Sequence, residues 1–442
     1  MLREIYSLIR ALLRASGVET KGSSEQATLT WLGTLGDDDQ TLIISADGSV
    51  VVGWAESADG HQRAFRWTAD GGMEDLGTLG GFQSEAHGVS ADGSVVVGWA
   101  ENAAGNPRAF RWTADGGMED LGTLPGGNWS EAHGVSADGS VVVGWADNAA
   151  GNPRAFRWTA ATGMIDLGTL GGWESNAWGV SADGSVVVGW AKNADGHQRA
   201  FRWTADGGME DLGTLGGDCS WATGVSADGS VVVGWAKNVK GDKHAFRWTA
   251  DGGIEDLGTL GGRESTPEGI SADGSVVVGW ADNAAGNPRA FRWTADGGME
   301  ALGTLGGDCS LATGVSADGS VVVGWAENAE GDERAFRWTS EGGMEDLNIT
   351  YASLLTPGSY LGQAIAISPD GRYIVGFGWN AAKKCDEAFL LDTGIVLIDQ
   401  REHDTRVSIK CRWCGMDTED STICVWCKRD PSGMQPHKRG GS

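Results

Sequence analysis

Apolar and polar positions follow a pattern that returns about every 45 residues. Its best-kept stretch, Ser-Ala-Asp-Gly-Ser-Val-Val-Val-Gly-Trp-Ala, begins at Ser45, Ser90, Ser136, Ser181, Ser226, Ser271 and Ser316. A divergent eighth copy occupies residues 368–376. The tryptophan within the repeated stretch, first Trp54 and last Trp325, recurs every 45 or 46 residues. A fixed period of this length is typical of repeat architectures, in which each unit packs on its neighbours.

Each period contains four strand-like segments. In the second repeat they are residues 86–89, 95–100, 108–113 and 118–124. The second segment, Val-Val-Val-Gly-Trp-Ala, is apolar throughout, as expected of a strand covered on both faces. Asp-Gly turns separate the first strand from the second and the third from the fourth. Such turns indicate hairpins, and a tight two-residue turn would place both central residues at positive φ.

Four short antiparallel strands per period describe one blade of a β-propeller. We therefore predict an all-β β-propeller over residues 27–400. Trp31-Leu-Gly-Thr-Leu35 resembles the fourth strand of a repeat, but strands one to three do not precede it. It is therefore expected to complete the last blade and close the ring. The count is then eight blades. Seven blades with an appended unit, or an open β-solenoid, are the alternatives.

Residues 1–26 predict an amphipathic helix followed by a linker. Leu2, Ile5, Ile9, Leu12 and Leu13 share one helical face. Arginines interrupt this segment, so it does not match a secretory signal, and no stretch reaches the length of a membrane span. The helix is expected to pack on the ring or a partner, with a membrane surface as the alternative.

The repeat is similar to the HAF repeat, named for His-Ala-Phe. The similarity rests on Gly-Val-Ser-Ala-Asp-Gly-Ser-Val-Val-Val-Gly, then Ala-Phe-Arg-Trp-Thr, then Asp-Leu-Gly-Thr-Leu, and it covers residues 29–399. Only His244 keeps the histidine; the other full repeats have arginine and the last has Glu387. The resemblance implies a bacterial repeat protein with an extracellular location and no common assigned activity.

The repeats differ mainly in the segment between strands four and one and in the loop between strands two and three, which open on the same face of a propeller. The segment between strands four and one reads Phe-Gln-Ser-Glu-Ala-His in the second repeat and Trp-Glu-Ser-Asn-Ala-Trp in the fourth. Substitutions fall on alternate residues around a nearly fixed Ser-x-Ala, which is strand periodicity. The candidate partner-binding residues of this variable rim are Phe82, His87, Trp129, His133, Trp173, Trp178, Asp218, Trp221 and Arg263.

Two interpretations of the rim remain open. Recent duplication followed by drift would leave variation wherever no turn or core constraint applies. Alternatively, the tryptophans and arginine form a recognition surface, since these residue types dominate binding hot spots. The second interpretation predicts a non-enzymatic scaffold that binds a protein or other partner. A lectin-like propeller with one sugar site per blade and an enzyme with a site at the channel mouth are the alternatives.

The ring also contains histidines that could bind a metal ion and cysteines that could form a disulfide. His87 and His133 occupy equal positions in neighbouring repeats and could share a metal ion, although satisfied or solvent-facing histidines are the alternative. Cys219 and Cys309 lie two blades apart, too far for a disulfide, which requires Cα atoms within about 7 Å. They are expected to be free thiols.

The tail after residue 400 lacks the repeat. Cys411-Arg-Trp-Cys414 and Cys424-Val-Trp-Cys427 form two Cys-x-x-Cys motifs, which predict a structural zinc site of four thiolates in a zinc-ribbon-like module, residues 401–430. A redox pair and disulfides are the alternatives. Residues 431–442 are expected to be disordered.

The charge balance bears on partners and location. The net charge is −27, and both termini carry a small positive excess, so the acidic charge lies in the repeats. An acidic ring argues against nucleic acid as its partner. Thiolate-bound zinc and the absence of a signal sequence predict a cytoplasmic location, whereas the HAF resemblance favours an extracellular one. The ring is expected to be monomeric.

Overall fold

A computed structural model describes residues 26–33 and 39–395, together with the backbone pairing of Ile409–Lys410 with Asp417–Thr418. Contacts divide the chain into residues 1–396 and 397–442. The predicted N-terminal helix and the four tail cysteines lie outside the described residues, so both remain predictions. Among the described residues, no helix has the length and apolarity needed to cross a membrane.

Residues 26–33 and 39–395 form eight four-stranded antiparallel sheets, each one blade of a β-propeller. The first, innermost strands are β2 (Asp39–Ile44), β6 (Gly80–Val89), β10 (Ser130–Val135), β14 (Gly171–Val180), β18 (Gly216–Val225), β22 (Gly261–Ile270), β26 (Gly306–Val315) and β30 (Tyr360–Ile367). The second strands are β3 (Val50–Glu56), β7 (Val95–Asn102), β11 (Val141–Asp147), β15 (Val186–Asn193), β19 (Val231–Asn238), β23 (Val276–Asn283), β27 (Val321–Asn328) and β31 (Tyr373–Asn380).

The outer half of each blade follows the same order. The third strands are β4 (Gln62–Thr68), β8 (Pro107–Thr113), β12 (Pro153–Thr159), β16 (Gln198–Thr204), β20 (Lys243–Thr249), β24 (Pro288–Thr294), β28 (Glu333–Thr339) and β32 (Cys385–Asp392). The fourth strands are β5 (Gly72–Asp75), β9 (Gly117–Asp120), β13 (Gly163–Asp166), β17 (Gly208–Asp211), β21 (Gly253–Asp256), β25 (Gly298–Gly303), β29 (Gly343–Asp346) and, for blade 8, β1 (Thr28–Trp31). Helix within the described residues is confined to α1 (Leu347–Thr350) and the 3-10 turn Ala352–Leu354.

The N-terminal strand closes the ring, as predicted. β1 pairs antiparallel with β32, from Thr28 opposite Asp392 to Trp31 opposite Phe389. The strand lies earlier than the predicted residues 31–35: it ends at Trp31, and Leu32 adds one more backbone hydrogen bond, to the carbonyl of Ala388. The prediction of eight blades is confirmed.

The apolar second strand is buried on both faces because each blade packs between two others. Val50, Val52 and Ala64 of blade 1 pack against Val96 and Phe110 of blade 2, and the corresponding cluster recurs around the ring. At the closure, Val375 and Ala388 of blade 8 join Val51 and Phe65 of blade 1. Eight phenylalanines of the third strands, from Phe65 to Phe389, are fully buried.

The Asp-Gly turn between the first and second strands is fixed by its own side chains. Asp92 Oδ1 accepts hydrogen bonds from Ser90 Oγ and from the N–H and Oγ of Ser94, at 2.7, 3.0 and 2.7 Å. Gly93 has a φ of +69°, whereas Asp92 does not have a positive φ. The prediction that both central residues have positive φ is therefore wrong. The turn is a longer loop that needs glycine at one position and retains Ser-x-Asp-Gly-Ser for its hydrogen bonds.

These turns also bind one another across the blades. The N–H of Ala91 donates to the carbonyl of Ala137 at 2.9 Å, and seven such bonds connect the eight turns. The last bond ends on the carbonyl of Pro369, which has no N–H to continue the series. Arginines of the third strands make a second contact between neighbouring blades. Arg157 Nε in blade 3 donates to the carbonyl of Gly184 in the turn of blade 4, at 3.2 Å. The near-invariant turns are thus part of the packing between blades.

Candidate binding rim and histidine cluster

The segment predicted as a variable loop belongs to the innermost strand in blades 2 and 4 to 7, where that strand is ten residues long. In β6 the pairing with β7 shifts twice, between Gly80 and Ser84 and again between Ala86 and Gly88. The variable residues 82 and 83 occupy the first irregularity, and His87 occupies the second. β-Bulges redirect side chains, so the variable positions are held by strand geometry rather than by a free loop.

The fixed Ser-x-Ala is explained by burial toward the preceding blade. Ser84 and Ala86 are fully buried. Ser84 Oγ accepts the N–H of Ala64 in blade 1 at 2.9 Å and donates to the carbonyl of Gly77 at 2.7 Å. The alternate residues, Glu85 and His87 in blade 2, lie on the other side, and His87 reaches Glu131 of blade 3. The predicted strand periodicity is therefore present: one side packs on the preceding blade, and the other faces the following blade.

Four of the predicted rim residues are exposed aromatic side chains. Phe82 is 65% exposed, Trp129 50%, Trp173 47% and Trp178 42%. All four belong to the variable segments of blades 2, 3 and 4, which are consecutive. Two of these rings also contact neighbouring side chains. The Phe82 and His61 ring centroids lie 5.3 Å apart, and Lys192 Nζ lies 4.4 Å from the centroid of the Trp173 ring. They form an exposed aromatic group on one side of the ring.

The other predicted rim residues in blades 5 and 6 have partners within the protein. Trp221 is stacked between Trp190 and Trp235, with ring centroids 5.4 Å from each. Asp218 pairs with Lys237 at 3.3 Å. Arg263 donates to Asp242 through Nε and Nη2, at 3.1 and 2.7 Å. Blades 5 and 6 therefore do not repeat the exposed aromatic group of blades 2 to 4.

His87 and His133 are brought together by a residue that was not among the predicted site residues. Glu131 Oε1 lies 3.5 Å from His87 Nδ1 and 3.3 Å from His133 Nε2. His87 Nε2 contacts Glu85 Oε2 at 3.1 Å, and the His133 ring stacks on Trp178 with centroids 4.3 Å apart. Burial acts to raise the pKa of Glu131, but His133, His87 and the Trp145 indole outweigh it and hold that pKa below its ordinary value.

A sequence signal for this cluster was present. Glu85-Ala-His87 and Glu131-Ala-His133 are the same tripeptide in consecutive repeats, and residues two apart on a strand share a side. In a strand, each pair is expected on the side that faces the following blade, as His87 faces Glu131 of blade 3 and His133 faces Ala177 of blade 4. Strand geometry over residues 80–89, a segment predicted in part as loop, is what places the two pairs near each other.

At the position of His87, blade 6 has a glutamate in place of histidine. Glu268 in β22 is equivalent to His87, and burial raises its pKa against the opposing effects of Lys243 and of the Trp280 indole. Burial likewise lowers the pKa of Lys243, while Glu268 and Glu264 act to raise it. The alternate positions of the inner strands thus hold partly buried ionisable groups in blade 6 as well.

The described histidine side chains have no serine or cysteine hydrogen-bonding partner that would indicate an activated nucleophile. The rings of His87, His133 and His244 contact carboxylates, a backbone carbonyl and an asparagine amide. Cys219 and Cys309 are free thiols, as predicted, and burial is the main cause that raises the pKa of each. A raised pKa disfavours the reactive thiolate.

No family model and no curated protein matches the chain. Among solved structures, Porphyromonas gingivalis dipeptidyl peptidase 4 aligns with a TM-score of 0.49 and 12% identity, covering 84% of this chain and 61% of the peptidase. TolB from Acinetobacter baumannii has a TM-score of 0.39 and 16% identity, covering 58% of this chain and 63% of TolB. The BP39L lectin from Burkholderia pseudomallei has a TM-score of 0.42 and 10% identity, covering 73% and 98%.

The chain therefore spans less than two thirds of the peptidase and of TolB. At these identities and TM-scores, none of the three proteins assigns a function to this one. What the structure itself defines is the class: an all-β, eight-bladed β-propeller of four-stranded blades.

Proposed function

We propose that this protein is a recognition scaffold without catalytic activity, which binds a partner over the rim formed by blades 2 to 4. The observation that carries the proposal is the exposed aromatic group Phe82, Trp129, Trp173 and Trp178. Large aromatic side chains each bury about 150–250 Å² when covered, and tryptophans are enriched among binding hot spots. A partner that covers this group would remove much apolar surface from water.

The asymmetry of the rim favours one oriented partner over equal sites in every blade. The position of Phe82 holds Trp173 in blade 4 but Asp218, Arg263 and Asp308 in blades 5 to 7. A lectin with one sugar site per blade would need a similar aromatic in each. The opposite face presents the same Asp-Gly turns around the ring, which gives no basis for a single orientation. The rim is therefore the better candidate surface.

The remaining expectations complete this proposal. We propose that Cys411, Cys414, Cys424 and Cys427 hold a structural zinc ion, that the ring is monomeric and does not bind nucleic acid, and that the protein is cytoplasmic. An extracellular location, implied by the resemblance to HAF repeats, is the alternative. The HAF resemblance itself remains a hypothesis that rests on the repeat motifs.

The proposal is tested by changing both blade 4 tryptophans. Trp173→Ala with Trp178→Ala should weaken partner binding by about 2 kcal/mol or more, roughly 30-fold in affinity. Binding is measured by calorimetry with the partner captured by the wild-type protein, after circular dichroism shows that the variant is folded. A glycan array run in parallel tests the lectin alternative.

Two controls locate the surface. Tyr360→Ala removes an aromatic residue that is 38% exposed at the same strand end of blade 8, outside blades 2 to 4. Asp92→Asn with Asp138→Asn and Asp183→Asn changes the opposite face while an amide oxygen can still accept the turn hydrogen bonds. Both should leave affinity nearly unchanged. If the asparagine variant abolishes binding while the tryptophan variant binds normally, the rim assignment is wrong.

A further inference from the structure

Three side chains from two neighbouring inner strands converge at the junction of blades 2 and 3. His87 comes from β6, and Glu131 and His133 come from β10. One ring nitrogen of each histidine and one carboxylate oxygen lie within 4.8 Å of one another. All three side chains are partly shielded, with 18, 25 and 6% of the side chains of His87, Glu131 and His133 exposed. This is the set of donors found in two-histidine, one-carboxylate metal sites.

Each of the three residues has its other polar atom held by a separate partner. His133 Nδ1 lies 2.9 Å from the carbonyl of Ala177, which can only accept, so this nitrogen carries a proton and Nε2 is the lone-pair nitrogen of the neutral ring. Glu85 holds His87 Nε2, and the Trp145 indole donates to Glu131 Oε2 at 3.1 Å. Outer partners of this kind orient metal ligands and fix their tautomers.

The remaining polar atoms of the three side chains face one another. With both rings neutral in these tautomers, His87 Nδ1 and His133 Nε2 present lone pairs toward Glu131 Oε1. Three acceptors facing one another are unfavourable unless protons or a metal ion lie among them. Glu85 adds a second carboxylate beside the cluster, which strengthens the local attraction for positive charge.

The two separations from Glu131 Oε1 to the histidine nitrogens are long for charged hydrogen bonds and fit pairs of ligands on a tetrahedral metal. Charged N–H···O bonds are usually about 2.7–2.9 Å long. The distances from Glu131 Oε1 to the two histidine nitrogens are 3.3 and 3.5 Å. Ligand atoms bound to zinc at about 2.0–2.2 Å and at tetrahedral angles lie about 3.3–3.6 Å apart.

We propose that His87, Glu131 and His133 bind a divalent transition-metal ion, with Zn²⁺ the ion best matched to two imidazoles and one carboxylate. Three protein ligands leave at least one coordination position for water or a ligand atom. The site is separate from the four tail cysteines in ligand type and in place. Because His133 stacks on Trp178, the ion would also lie beside the exposed aromatic group.

The experiment uses the full chain with Cys411, Cys414, Cys424 and Cys427 changed to serine, so that tail zinc does not contribute. Calorimetry with Zn²⁺ should show one saturable site per chain. Co²⁺ should give a visible absorption spectrum of nitrogen and oxygen ligands without thiolate charge transfer. In this background, Glu131→Gln or His133→Gln should weaken Zn²⁺ binding more than the roughly 10–100-fold expected for loss of the outer partner in Glu85→Gln.

His244→Gln is the matched control. His244 contacts Asp256 at 2.9 Å but, unlike His87 and His133, belongs to no three-ligand group among the described residues. Its substitution should leave Zn²⁺ affinity unchanged. The proposal is overturned if the folded serine-tail protein shows no saturable Zn²⁺ binding, which would mean that protons alone balance the cluster. It is equally overturned if binding persists unchanged in Glu131→Gln and Glu85→Gln, variants that keep side-chain size and whose folding is checked by circular dichroism.

Discussion

The backbone N–H of Gly33 donates a 2.8 Å hydrogen bond to Oε1 of Glu387, a residue 354 positions later in the chain. In blade 1 the equivalent glycine N–H, Gly77, is bound by Asp75 two residues before it, at 2.8 Å. β1 has Trp31 in place of that aspartate, so Glu387 supplies the carboxylate. Other blades have arginine or histidine at the position of Glu387, opposite the aspartate, as Arg63 faces Asp75 at 3.7 Å. The charge reversal in blade 8 is therefore a consequence of how the ring closes.

Glu387→Gln should destabilise the closure. Glu387 is fully buried and also receives Lys383 Nζ at 2.8 Å and Asn380 Nδ2 at 2.6 Å. An amide cannot satisfy three donors as a carboxylate does, so the free energy of unfolding should fall by about 1–3 kcal/mol. Urea unfolding measures the change. The exposed Glu119→Gln is the control and should stay within about 0.5 kcal/mol; equal effects of both variants would show that the buried contacts add nothing.

Deleting residues 27–36 should lower the thermal midpoint. The deletion removes the pairing of β1 with β32 and the buried side chain of Leu32. β32 then becomes an unpaired edge strand, which also favours association between chains. Calorimetry and light scattering measure the two effects against a chain that begins at residue 27. An unchanged midpoint would contradict the role of β1 as the closing strand.

The Asp-Gly turns predict an acid-dependent loss of stability. Hydrogen bonds from Ser94 and Ser90 lower the pKa of Asp92 to about 2, and the same serine pattern lowers those of Asp138 and Asp183 to about 2. The ordinary value is about 3.9, so these carboxylates contribute stability above about pH 4 and lose that contribution as the pH falls toward 2.

The asparagine variant of these three residues tests the linkage. Its deficit in unfolding free energy relative to wild type should be largest above pH 4 and should shrink as the pH approaches 2, because protonated wild-type aspartates no longer differ in charge from the amides. Urea unfolding between pH 5 and pH 2 measures this difference. A deficit that is independent of pH would rule out the carboxylate charge as its source.

The tail predicts one zinc ion per chain bound by Cys411, Cys414, Cys424 and Cys427. Metal analysis of the purified protein should lose one equivalent of zinc when Cys411 and Cys414 are changed to serine, because a four-thiolate site needs both motifs. Cys219→Ser with Cys309→Ser is the matched control and should keep the zinc. Freely titrating tail thiols in native protein without zinc would contradict the prediction.

The repeat determined most of the fold because its information is local. Ser-Ala-Asp-Gly-Ser specifies a turn through its own hydrogen bonds, and Val-Val-Val-Gly-Trp-Ala specifies a strand buried on both faces. Copies of such a unit can bury their faces only by stacking, and an orphan outer strand indicates closure. The sequence also located the variable rim, since substitutions alternate around buried Ser84 and Ala86.

The tertiary structure decided what the rim residues contact, because those contacts cross from one blade to the next. Glu131 approaches His87 only because β6 and β10 are neighbours around the ring and a bulge in β6 redirects His87. The same packing stacks Trp221 between two tryptophans while leaving Trp173 and Trp178 exposed. Side chains 44 to 46 residues apart meet at angles set by blade twist and bulges, which no local pattern specifies. For that reason the sequence by itself determined the blades and their number, and only the folded ring determined which side chains meet.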